Sequence, residues 1–297
     1  MNWRKLGKIF EVNKDNHWLV SHSAIPFAKH LHNDVFRIFF SVRNQFNQSQ
    51  PGFFDFDLGS MQIVNRLTKG PLLNPGVKGS YDDAGVVLSC YCDDNDLYYY
   101  MAYNVPKNVP FNNQIAAAFT FGEVLKKHDN NPILGHCEKE PFSFGCPWVL
   151  KVNEKYYMWY DTNLSWNIDD PMDYKFEIRS AVSKDGIKWE KTFITGMNLA
   201  DNERAIGRPC VIHEEDTFKM WYSLDRSGKY SIGYAESKDG FVWERKDNEV
   251  GLTMSDEGWD SEEIEYPCVF NHKGDKFMLY NGNGYGKSGI GLAVLNQ

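Results

Sequence analysis

Acidic residues stand just ahead of short apolar runs at Asp82 and Asp83, at Glu203 and at Glu262, and His22 and Arg208 occupy comparable points of the chain. Carboxylates accept hydrogen bonds from sugar hydroxyls and perform acid and base chemistry. Two carboxyls flanking a glycosidic bond can hydrolyse it, about 5–5.5 Å apart for retention and roughly 6.5–9.5 Å apart for inversion. Arginines supply planar donor pairs to carboxylate or phosphate. Asp83, Glu203 and Glu262 are therefore the candidate catalytic acids. His22, Arg43, Asp82, Arg208 and Asn283 are candidate ligand contacts, and Trp166, in an insertion over 163–174, is either a sugar-stacking platform or a loop anchor. Structural readings stand beside these: Asp82 and Asp83 as turn caps, Glu203 as the ion-pair partner of Arg204 or Arg208, and His22 as a satisfied core histidine.

Residues so far apart meet only if the fold gathers them, and a repeat supplies the means. Five segments share a pattern of small or charged residues, a proline slot and an apolar run: 21–27, 81–89, 142–150, 204–212 and 262–270. The slot falls at Pro26, Leu88, Pro147, Pro209 and Pro267, at steps of 58 to 62 residues. Such a period signals a repeat architecture. An aromatic strand follows each start, for example 36–44 and 156–163, and then a strand of small residues such as 114–120 or 231–237. Asp185-Gly186 and Asp239-Gly240 mark hairpins into a fourth strand. Helical periodicity is absent, and 122–128 offers at most one helical turn.

The expectation is an all-β, single-domain, five-bladed propeller over 1–297, with four antiparallel strands per blade. The blades lie near 20–75, 81–135, 141–198, 203–250 and 261–297. The last lacks an outer strand, and residues 2–12 are expected to supply it, because Trp3-Arg4-Lys5 matches Trp189-Glu190-Lys191 and Trp243-Glu244-Arg245. In such a fold the first strands line a central channel, and the ends of the second strands (Arg43, Tyr103, Asn163, Asp225 and Asn283) reach its mouth.

A net charge of −8 with scattered Lys and Arg argues against a nucleic-acid partner. No apolar run approaches the roughly 18 residues of a membrane helix, and the first residues lack the core of a signal peptide, so a cytoplasmic location is expected. The six cysteines form no C-x-x-C pair and read as reduced core thiols. The histidines show no metal-ligand spacing, so neither metal nor other cofactor is expected. Gly282-Asn283-Gly284-Tyr285-Gly286 has no helix after it and reads as a tight hairpin, not a phosphate loop.

Several strings resemble the five-bladed glycoside hydrolase groups of families 43, 32 and 130, and most of all a bacterial subgroup labelled glycosylase. They are Ser21-His22-Ser23-Ala24-Ile25-Pro26, Asp82-Asp83-Ala84-Gly85-Val86, Val109-Pro110-Phe111, the run from Ala205 to Ile212, Trp259-Asp260-Ser261-Glu262 and Tyr280 to Lys287. The resemblance implies a sugar-acting protein with its site in the axial funnel and a setting in surface-polysaccharide metabolism. It also exposes a departure. Those hydrolases carry an Asp on the first strand of the first blade, where this chain has Ser21 to Pro26 and no acid; Asp34, in the following hairpin, is no obvious substitute. Three readings follow. In the first, a glycosidic bond is cleaved or transferred by Asp83, Glu203 and Glu262. In the second, a phosphorylase or glycosyltransferase needs only one protein carboxylate. In the third, the propeller binds glycans without catalysis. The ligand expected is a sugar, a nucleotide sugar or an oligosaccharide, and the oligomeric state is left open.

Overall fold

The computed structural model describes residues 1–13, 17–65, 68–107, 109–167, 169–170 and 173–296. β1 (Trp3–Phe10) precedes five repeated units. Unit one holds β2 (Ser21–His32), β3 (Val35–Arg43), β4 (Ser49–Asp57) and β5 (Gln62–Asn65), and unit two β6 (Gly85–Cys92), β7 (Leu97–Tyr103), β8 (Gln114–Phe121) and β9 (Val124–Lys127). Unit three holds β10 (Phe144–Val152), β11 (Lys155–Trp166), β12 (Tyr174–Ser183) and β13 (Glu190–Lys191), and unit four β14 (Glu203–Glu214), β15 (Thr217–Arg226), β16 (Lys229–Ser237) and β17 (Glu244–Arg245). Unit five holds β18 (Glu265–His272), β19 (Asp275–Asn281) and β20 (Ile290–Leu295). Strands are antiparallel within each unit, and single parallel bridges, Ser49 to Gly85 and Phe176 to Ala205, join units one to two and three to four, giving three sheets. The segment 122–128, which offered at most one helical turn, holds β9 (Val124–Lys127), paired with β8. A 3-10 turn at Asp247–Glu249 is the one helical element among the described residues.

The second strands are buried on both faces because neighbouring units stack on them. Tyr99, Tyr100, Trp159, Tyr160, Trp221, Tyr222 and Tyr280 are almost wholly removed from solvent. Buried polar tips need partners, and for Trp159 and Tyr99 the hairpin of the next unit provides one. Ser237 Oγ accepts from Gly240 N, Asp239 Oδ1 accepts from the N–H groups of Phe241 and Val242, and the Trp159 indole donates to Gly240 O at 2.7 Å. The turn around Asp185-Gly186 repeats this arrangement, with the Tyr99 hydroxyl donating to Gly186 O at 2.9 Å. Gly240 and Gly186 sit at φ 78° and 75°, a conformation that costs a side-chain-bearing residue energy.

The first strands pack side by side in a cycle, β2 on β6, β6 on β10, β10 on β14, β14 on β18 and β18 on β2. β1 adds to β20 as the outer strand of unit five, Trp3 opposite Leu295 and Phe10 opposite Ile290. Trp3 is buried edge-on against Trp221 of unit four, 6.4 Å between ring centres. Removing a buried tryptophan typically costs about 3–5 kcal/mol. Trp3→Ala should therefore lower the denaturant midpoint strongly, and deletion of 1–12 should lower the melting temperature further; an unchanged melt in the deletion would show that β1 does not close the last unit.

Candidate functional site

Proline has no N–H to give to a ladder, so each proline in a first strand forces a bulge. The register skips at Pro147, Pro209 and Pro267, and again around Pro26. The residue before each proline turns into the left-handed region: Ile25 at φ 56°, Cys146 at 43°, Arg208 at 50° and Tyr266 at 55°. Such conformers cost of order 1–3 kcal/mol each and persist only where the surroundings hold them. For three of the four the second strand of the preceding unit does so. Asn281 Oδ1 accepts from Ile25 N at 2.9 Å, Asp161 Oδ1 from Arg208 N at 3.2 Å and Ser223 Oγ from Tyr266 N at 2.8 Å. The bulges aim Ile25, Cys146, Arg208 and Tyr266 into one central cavity, and Val87 joins them from unit two.

The cavity has a volume of about 490 Å³, inside the range of small-molecule sites. Tyr103, Phe111, Tyr174, Phe176, Tyr230 and Tyr285 form much of its wall, with Phe111 and Phe176 stacked at 6.0 Å and 15°. Among the described residues Asp161 is the one carboxylate in the lining. Gly145 and Gly207 make room for it: a methyl group on Gly145 would approach Asp161 Oδ2 to 2.8 Å, and one on Gly207 would approach its Cβ to 3.1 Å. Part of Asp161 opens to the cavity, yet protein surrounds it closely enough that desolvation raises its carboxyl above the usual range, against the opposing Arg208 N–H, its own N–H, the Cys146 thiol and the Arg208 charge. Behind the wall, Glu265 is fully buried and neither oxygen makes a well-formed hydrogen bond. Burial and the charge of Glu263 push it well above the carboxylate range, opposed by the Tyr266 hydroxyl and the Tyr285 N–H.

No family model matches the sequence. Over its full length the chain is 38% identical to "Uncharacterized protein MT1551" of Mycobacterium tuberculosis (strain CDC 1551 / Oshkosh) and 37% identical to "Uncharacterized protein Rv1502" of strain ATCC 25618 / H37Rv, each match covering 100% of both proteins. The chain belongs to their family. In fold, this family member is similar to glycoside hydrolases. It matches one solved glycoside hydrolase with TM-score 0.74 at 14% identity, over 99% of this chain and 92% of the other. It matches a thermostable family-43 glycoside hydrolase with TM-score 0.66 at 16% identity (94% and 90% covered), and the catalytic domain of the Coprinopsis cinerea GH62 alpha-L-arabinofuranosidase with 0.68 at 11% (99% and 96% covered).

Of the residues singled out from the sequence, His22, Arg43 and Arg208 meet in the cavity lining of this family member. Arg208 is almost wholly buried; its guanidinium donates to Pro209 O and Pro26 O and lies 5.4 Å from the Trp148 ring centre. The structure places the other acids elsewhere. Asp82 is buried and ion-paired to Lys127, with the Ser80 hydroxyl donating to it. Asp83 accepts from Gly79 N and from the Asn104 amide, both at 2.7 Å, and so fastens the loop before β6. Glu203 is buried against Arg226 and Arg245. Glu262 is exposed, and its N–H and that of Glu263 donate to Asn283 Oδ1, which makes Asn283 the brace of a loop. The physical reasons differ: lysine and arginine claim Asp82 and Glu203, N–H donors claim Asp83, and the Glu262 side chain is left to solvent. Trp166 ends β11, and its side chain lies outside the described residues. Asp34 pairs with His272 and Lys273. No three His, Cys, Asp or Glu side chains among the described residues converge as a metal site. Sequence reasoning missed Asp161, Cys146 and Tyr266. The residue before the proline slot was the available signal for the last two; Asp161 had only its register opposite Gly145.

Two outcomes test these environments. Burial raises the Glu203 carboxyl, but the bonds from Arg245, the Ala200 N–H and Arg226 outweigh it and leave the group below the usual range. Its contribution to stability is thus present above the unfolded-state pKa and lost as pH falls through the folded one. Glu203→Gln, which strips the charge from a pair with two arginines, should destabilise by about 3 kcal/mol in denaturant melts and leave ligand affinity unchanged. His22 is held at about 4 by burial and then by the charges of Arg43 and Lys287. Between about 6.5 and 4 the unfolded chain binds a proton that the folded one refuses, so stability falls as pH drops through that window. Lys287→Gln should move the His22 midpoint, read by NMR titration, upward.

Proposed function

We propose that this protein is a carbohydrate-active enzyme whose five units are the blades of a five-bladed propeller, and that it transfers a glycosyl group in the central cavity. The observation that carries the reading is Asp161, a single carboxyl on an aromatic-walled floor whose burial favours the protonated form. Hydrolysis of the ordinary kind requires two carboxyls around the bond. Transfer to or from phosphate requires one, because the phosphoryl group supplies the second partner. Asp161 would give its proton to the leaving glycosidic oxygen, and the aromatic walls would hold the sugar ring against the floor by its apolar face. The fold likeness to glycoside hydrolases supports the substrate class. The hydrolytic alternative, with Asp83, Glu203 and Glu262 as its acids, requires Asp83 and Glu203 to leave their present partners and all three to reach a cavity they do not line.

The test is a turnover screen with glycosides, sugar phosphates and nucleotide sugars, with and without inorganic phosphate. Asn at position 161 can still accept the Arg208 N–H but cannot protonate a leaving group. Asp161→Asn should lower kcat by at least about 100-fold with the fold intact, whereas Asp83→Asn and Glu262→Gln should retain turnover. An active Asp161→Asn enzyme, or loss of activity in the Asp83 and Glu262 variants at unchanged melting temperature, would overturn the assignment.

A further inference from the structure

One corner of the cavity carries positive charge that the protein leaves unanswered. Ser21 pairs with Arg43 across β2 and β3, which sets His22 beside the Arg43 side chain at the cavity wall. Ser23 N–H donates to Gly286 O at 2.9 Å, so the loop 282–289 of unit five is fastened on the same strand, and Lys287 on that loop, just outside the cavity lining, lies near enough for its charge to act on His22. Arg43 and Lys287 are both exposed. Among the described residues neither forms an ion pair with a carboxylate; the guanidinium of Arg43 reaches only the Asn47 amide oxygen, at 3.3 Å. His22 turns its Nδ1 to Ser21 Oγ at 2.8 Å. In a chain of net charge −8, where most buried acids hold a basic partner, two uncompensated cations around a histidine mark a place kept for something negative.

We infer that Arg43, Lys287 and His22 form an oxyanion subsite, and that the ligand is a sugar bearing a phosphate or a carboxylate. This rests on the carbohydrate reading above and names the substrate class within it. The subsite belongs to units one and five, whereas Asp161 enters between β10 and β14 of units three and four. An anion at Arg43 therefore leaves the sugar to lie across the tyrosine wall with its reacting bond toward Asp161. The arginine offers a planar donor pair and the lysine a compact charge, and both lie at the solvent edge, where they draw an anion inward.

Isothermal calorimetry with glucose, glucuronate, glucose 1-phosphate and inorganic phosphate tests this. Glucose 1-phosphate or glucuronate should bind at least about tenfold more tightly than glucose, and Arg43→Gln or Lys287→Gln should each remove roughly tenfold of that gain. Lys126→Gln, on the exposed outer strand β9 of unit two, should change nothing. A phosphate gain without a glucuronate gain assigns a phosphorylated sugar, and the reverse assigns a uronate. Equal affinity for glucose and both charged sugars, or charged-sugar binding indifferent to Arg43 and Lys287, would overturn the subsite while leaving the carbohydrate reading in place. Inorganic phosphate bound through Arg43 with no added affinity from any sugar would keep the subsite and remove the carbohydrate reading.

Discussion

A peptide N–H that its own ladder cannot satisfy is the constraint on which the cavity depends. Each bulged first strand swings such a group out of register, and burial makes an unpaired donor costly. The acceptor comes from the neighbouring unit: Asn281 for Ile25, Asp161 for Arg208, Ser223 for Tyr266. Units are thereby locked in angle as well as in distance. The side chains of the bulged residues have one direction left, toward the common centre. Cysteine does related work one step outward, where Cys90 Sγ accepts from Val149 N and Cys210 Sγ from Val269 N. All six thiols are free, and five of them are buried.

The same arrangement explains the ambiguity of Asp161. It is a cap by position, equivalent to Ser223 and Asn281, and a serine or asparagine would serve that duty. A carboxyl adds a titratable group that neither of those offers, and its burial disfavours the ionised form. The two glycines flanking it show that the surroundings yield space to this side chain in particular.

The frame was legible because it is written in local chemistry. Prolines at even spacing, Asp-Gly hairpins and a tryptophan-led first strand each announce a backbone event, and the order of strands follows from them. The placement of His22, Arg43 and Arg208 follows from the same alignment. The acids were harder to read. A carboxylate at the entry to a strand looks alike whether it faces a channel or an arginine. Asp83 and Glu203 were settled by Asn104, Arg226 and Arg245, which lie 21 to 42 residues away and carry no sign of which acid they meet. Asp161 sits within an aromatic strand, where its neighbours in sequence speak only of packing.

β1 has a consequence for how the molecule comes into being. Trp3 and its strand are made well before their sheet partner β20, Trp3 standing opposite Leu295. Until then β1 has an unfilled edge and an apolar ring without a groove. The bond from Asn281 to Ile25 spans almost the same distance along the chain. The intervening units can assemble in order as they emerge, but these long-range contacts form only after unit five has been made, and closing so long a loop is slow. Closure of the ring of contacts thus waits for β20, and a nascent chain halted before it would present a sticky strand to its surroundings.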